Sequence, residues 1–176
     1  VIGGHLDSWD LGTGAIDDGA GVAITMAAGA LIGDLKQAPK RTIRVIAFAN
    51  EEQGLLGGYA YAEAMKAAVA NHQVGAESDF GAGKIYALQA GVSATTWPVI
   101  ERIGQVLAPL GIALDKTGGS PGPDIGPMVK NGVPWAELAQ DGTDYFDYHH
   151  TANDTLDKIN AKDLDQQVAA YAVMAY

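Results

Sequence analysis

A ten-residue segment, "RTIRVIAFAN" at 41–50, is β-branched and largely apolar toward its end, and stretches of helical spacing lie on either side of it. An apolar run this short reads as a central strand buried on both faces, and such a strand needs helices above and below it. The rest of the chain repeats the alternation. Residues 1–4 read as a strand end, 18–35 as a small-residue helix opened by an acid, and 55–70 as a second helix. A weak strand at 73–79 and a clearer one at 84–91 follow, then a helix at 95–111 with Pro98 in its first turn. Residues 120–128 read as a loop, 133–140 as a short strand and 161–176 as a closing helix. No repeat, low-complexity tract or linker interrupts the series. The pattern predicts an α/β three-layer sandwich, with a mostly parallel central sheet and helices on both faces. A chain of 176 residues, 48% hydrophobic, suits one such core, so residues 1–176 are expected to form a single domain.

The net charge of −10 argues against a nucleic-acid partner, which wants a basic face, and against an anionic membrane surface. No apolar run reads as long enough to span a bilayer. Cysteine is absent, which excludes disulfides and thiolate ligands. Any metal must therefore be held by His, Asp and Glu. Val1 and Ile2 read as the end of a buried strand, so the expectation is a piece of a longer precursor.

In open α/β sheets, ligands gather beyond the carboxyl ends of the strands. His5 and Asp7 follow the first strand in "GGHLDSWDLGTGAIDDGAG", and Asp17 and Asp18 precede the first helix. Glu51 and Glu52 follow "VIAFAN", Asp79 ends the weak strand, and His149 and His150 lie in "YFDYHHTANDT" after the 133–140 strand. Each alone has an ordinary reading: a capping histidine, a turn that caps a helix, acids favoured at a helix start. His72, Asp10, Asp34 and Asp144 keep such readings. Together, two His, two Asp and a Glu pair at one sheet edge describe a site for two zinc ions. Imidazole and carboxylate suit zinc, and a carboxylate can bridge two ions.

These motifs, with "PKRTIRVIAFANEEQG", "ESD" and "GPDIGPMVKNGVP", follow one another over nearly the whole chain. In kind and order the chain resembles the di-zinc exopeptidase family of aminopeptidases, most closely its carboxypeptidase Q (plasma glutamate carboxypeptidase) branch. The resemblance implies a zinc-dependent exopeptidase acting on dipeptides or short peptides. Peptide is then the expected partner, a homodimer is allowed, and the location is secreted or periplasmic. Family catalytic domains are longer, with strands before the His motif, and often carry an inserted protease-associated domain; neither is seen here.

Carried over residue by residue, the resemblance makes His5 and Asp79 ligands of one zinc, Glu52 and His150 ligands of the other, and Asp17 the bridge. His150 is preferred to His149 because the family pattern His-Thr-x-x-Asp-Thr is matched by His150, Thr151, Asp154 and Thr155. Glu51 becomes the general base, and the Asp17–Asp18 peptide is expected to be cis. Neighbours at a strand end point opposite ways, so Glu52 binds metal while Glu51 faces the substrate. Asp7, two residues after His5, is a suitable acceptor for the imidazole N–H. Many relatives have Tyr directly before the last histidine; here that position is His149, with Tyr148 one earlier, and His149 becomes the oxyanion donor. Asp124 reads either as a substrate-side residue or as a turn and cap.

Two other readings compete. A glutaminyl-cyclase-like acyltransferase shares the fold with one zinc, and a receptor-like binding module shares it without catalysis. A metal count of two, one or about none separates the three.

Overall fold

The computed structural model describes residues 1–176. Strand β1 (Ile2–His5) is buried along its whole length because β2 (Val45–Phe48) and β3 (Ala76–Glu77) flank it, both parallel to it. A second group pairs β4 (Ile85–Gly91) with β5 (Ala113–Leu114) on one side and β6 (Trp135–Gln140) on the other. A parallel bridge between Gly75 and Trp135 joins the groups, giving the order β2-β1-β3-β6-β4-β5. Every neighbouring pair is parallel except β4–β6. The carboxyl ends of β1, β2, β3 and β6 therefore share one edge of the sheet, and these are the four strands that precede the polar clusters.

Helices α1 (Ala20–Gly33), α3 (Trp97–Leu107) and α6 (Ala161–Ala175) cover one face, around a core that includes Ile24, Leu88, Ile100 and Tyr171. Helices α2 (Leu56–Ala64) and α4 (Gly126–Lys130) cover the other, over Phe48, Ala62, Ile125 and Met128. This is the expected three-layer arrangement. Ile24 is fully buried, a burial that contributes about 1.5–3 kcal/mol. The small residues of α1 let it press against the sheet. A Cβ at Gly21 would collide with the Ser78 carbonyl and the Asp18 carboxylate.

Several features differ from the sequence reading. The 41–50 segment, read as a central strand buried on both faces, is the edge strand β2, paired on one side only, and of its four residues only Phe48 is buried. The helix expected at 55–70 ends at Ala64, and a 3-10 helix takes over at Lys66–Asn71. The 120–128 loop runs into α4, which starts with Pro127 in its first turn. Neither β5 nor the one-turn helix α5 (Tyr145–Tyr148) was expected; both are too short to show a period. One helical stretch, Ala15–Gly33, does have the length and apolar composition to cross a membrane, contrary to the sequence reading. Half of it is buried in this fold, and its backbone is non-helical at Asp17 and Asp18, so it is a core helix behind an irregular turn.

Candidate metal centre

His5, the last residue of β1, is 1% exposed. Its Nδ1 donates to the backbone carbonyl of Asp7 at 2.8 Å, which leaves Nε2 turned toward the acids and available to a metal. Nε2 lies 3.1 Å from Asp17 Oδ1 and 3.3 Å from Asp79 Oδ1. Burial disfavours a charged imidazole there, but the hydrogen bonds to Asp17 and Asp79 outweigh it and push the His5 pKa up to about 12.

Asp17 stands between two groups of ligand atoms. Its Oδ1 faces His5, while its Oδ2 lies 3.3 Å from His150 Nε2 and 3.5 Å from His149 Nε2. His150 Nε2 is in turn 2.8 Å from Glu52 Oε2. The Asp17–Asp18 peptide is cis, as the resemblance implied. Asp18 turns the other way: one carboxylate oxygen accepts the His5 N–H at 2.9 Å and the other the Gly21 N–H at 3.1 Å. Burial, then the charge of Asp79, pushes its pKa well up.

Two expectations about the acids are corrected in detail. Glu51 and Glu52 do not extend β2; they open a turn in which the Glu51 carbonyl accepts from Gly54 and Leu55. Strand alternation therefore does not separate them, and both carboxylates line one cleft. The Asp7 carboxylate accepts the N–H groups of Glu51 (3.0 Å) and Glu52 (3.2 Å), so its side chain anchors that turn while its carbonyl orients His5. Burial, then Asp79, raises the Glu51 pKa to about 7.

His149 and His150 end the α5 turn. His150 has a left-handed backbone, φ 59, which is rare for a residue with a side chain. The two imidazoles stack with centroids 3.6 Å apart, so both reach Asp17. Tyr148 instead packs against the main core, with Lys158 over its ring. Tyr145, which the sequence reading missed, is buried and lines the cleft, 4.9 Å from the His149 ring. Trp9 was missed too. Its Nε1 donates to Glu52 Oε2 at 2.5 Å, and its ring lies 5.2 Å from that of His150. Asp124 is fully buried and accepts the Gly58 N–H at 3.0 Å, which is the cap-like role and not the substrate-side one. His72 keeps its ordinary place, bonded to the Tyr61 hydroxyl at 3.0 Å.

The residues fit a metal. Asp17 Oδ2 and Glu52 Oε1 are buried without a hydrogen-bond partner, an unfavourable state for carboxylate oxygens. His5, Asp17 and Asp79 present ligand atoms within 4.8 Å of one another, as do Asp17, His149 and His150, and His5, Glu51 and Glu52. An all-nitrogen-and-oxygen donor set of this kind suits zinc.

The model of Peptidase family M28 matches residues 1–175. The chain belongs to Peptidase family M28. Carboxypeptidase Q of Homo sapiens is 38% identical over 176 residues, covering all of this chain and 37% of that protein. A Peptidase M28 precursor from Shewanella amazonensis SB2B superposes with a TM-score of 0.96 at 57% identity, over 99% of this chain and 40% of that one. An aminopeptidase from Aneurinibacillus sp. strain AM-1 superposes at 0.69 with 25% identity, over 98% of this chain and 42% of that one. The chain thus spans well under half the length of these M28 relatives.

Proposed function

We propose that the protein containing this chain is a zinc-dependent exopeptidase that hydrolyses dipeptides or short peptides at a two-zinc centre. One observation carries the reading: Asp17 offers one oxygen to the His5 and Asp79 group and the other to the His150 and Glu52 group. On this reading His5 and Asp79 hold one zinc, Glu52 and His150 the other, and Asp17 is shared. Bound zinc supplies Lewis acidity and a water of lowered pKa. Glu51, in the cleft beside these ligands, takes the proton of the attacking water and returns it to the leaving amine. His149, half-exposed beside Asp17, donates to the oxyanion. Asp7 holds the Glu51–Glu52 turn in place.

On this reading residues 1–176 are a single-domain piece of a zinc peptidase catalytic domain, and the single family match over residues 1–175 supports it. A secreted or periplasmic setting fits the Shewanella relative, which is described as a precursor. The test is metal analysis of the whole protein beside a dipeptide and aminoacyl-amide panel. Two zinc ions per chain with peptide hydrolysis is the expected result. One zinc with acyl transfer, or no zinc with binding alone, overturns it.

A further inference from the structure

A second cavity, of about 500 Å³, lies beside the metal cleft and shares Asp79 and Pro123 with it. Its charged lining is entirely acidic, made of Glu77, Asp79 and Glu137. Glu77, 6% exposed, accepts the Asp124 and Ile125 N–H groups through Oε2, while its Oε1 is buried with no partner. Glu137, half-buried, accepts the Ser120 N–H at 2.5 Å. The side-chain amides of Gln89 and Gln140 are already donating, to Asp115 and to Gly81 and Gln167. No lysine or arginine lines the cavity. Phe80 and Tyr86 give it apolar walls.

We infer that this cavity receives the cationic side chain of a lysine or arginine residue next to the scissile bond. The inference rests on the peptidase reading and names its substrate class. A long basic side chain lays its methylenes along apolar surface and presents donors only at its tip. Aromatic walls beside one unpaired carboxylate oxygen, Glu77 Oε1, and the Glu137 carboxylate match that shape. The cavity is of the size that takes a small-molecule group, and larger than an ammonium alone requires. A neutral side chain would leave Glu77 Oε1 unpaired, and an acidic one would add repulsion.

The experiment compares lysinamide with norleucinamide, which share the α-amine and the carbon stem and differ in the side-chain charge. Binding of each to the zinc-loaded whole protein is measured by calorimetry, beside turnover of the matching lysyl and norleucyl dipeptides. Lysine should be favoured about tenfold or more in both readouts, as charge-assisted hydrogen bonds allow. Glu137→Gln keeps an acceptor for the Ser120 N–H, and it should collapse the lysine-to-norleucine ratio in both readouts. Equal binding and turnover of the two, or a ratio unchanged in Glu137→Gln, overturns the inference. Equal weakening of both compounds in the variant overturns it as well, and assigns Glu137 to the α-amine or to the fold. Charge-selective binding without hydrolysis of either dipeptide would instead sink the peptidase reading and leave the cavity's preference standing.

Discussion

Asp154 accepts the backbone N–H of Asp17 at 3.1 Å across 137 positions of sequence, and its other oxygen accepts the N–H of Ile16 at 2.6 Å. It is 4% exposed. One buried carboxylate thus ties the segment after His150 to the residue placed between the two ligand groups. Asp154→Asn keeps the volume but turns a donor toward one of those N–H groups. Hydrogen bonds to charged groups contribute about 1.5–3 kcal/mol, so denaturant unfolding should show a loss of that order. A changed support behind a metal ligand costs about 10–100-fold in affinity, so on the two-zinc proposal, in which Asp17 is shared, zinc titration should show both ions held more weakly. A variant with unchanged stability and two tight ions would show that Asp154 does not position Asp17.

Adjacent Glu51 and Glu52 should answer the same substitution differently. Glu51→Gln cannot accept a proton, so kcat should fall by about 10²–10⁴-fold while zinc stays near two per chain. Glu52→Gln removes the carboxylate charge that faces His150 and that the proposal assigns to one zinc, so it should lose one zinc and lose activity through that loss. Added zinc should restore part of the Glu52 variant's rate and none of the Glu51 variant's. Zinc content beside kcat decides the matter. Loss of zinc from Glu51→Gln, with two ions kept in Glu52→Gln, would reverse the roles.

Zinc loading should release protons. In the metal-free chain the His5 pKa is raised to about 12, so the imidazole is protonated at pH 7. A ligating imidazole must be neutral. Each chain should therefore release at least one proton as zinc binds at pH 7, and affinity should weaken as pH falls. Calorimetry in buffers of different ionisation enthalpy counts those protons. A count of zero would show that no proton leaves His5 when zinc binds.

The strand ends were legible because the signals there are chemical and local. An apolar run stops just before Glu51 and the first strand ends at His5, while the weak, mixed strand at 73–79 ends at Asp79, and the parallel pairing of β1, β2 and β3 brings those ends together. Trp9 was not legible: it sits in a loop, and its bond to Glu52 spans 43 residues with no period to announce it. Tyr145 was hidden for a similar reason. It belongs to a single helical turn, and the more conspicuous Tyr148 turns into the core. The role of Asp7 was half legible. Proximity in sequence suggested a contact with His5, but strand alternation could not foresee that Glu51 and Glu52 form a turn needing a carboxylate to accept its N–H groups.

His149 and His150 pose the last test, because their rings stack on each other and each brings its Nε2 to Asp17 Oδ2. The nearer approach to a second ligand belongs to His150, at 2.8 Å from Glu52, while His149 touches Asp17 alone among the acids, at 3.5 Å. His150→Ala should therefore lose one zinc per chain. His149→Ala should keep both and lose kcat, by about 10²–10³-fold if it donates to the oxyanion. KM for a short peptide should change less than kcat in His149→Ala, because that contact strengthens in the transition state. If His149→Ala loses zinc and His150→Ala keeps two ions, the ligand is His149 and the stacked pair has exchanged roles. If His149→Ala keeps both its zinc and its kcat, the oxyanion donor must be sought elsewhere in the cleft, and Tyr145, whose hydroxyl burial keeps protonated, is the residue to change next.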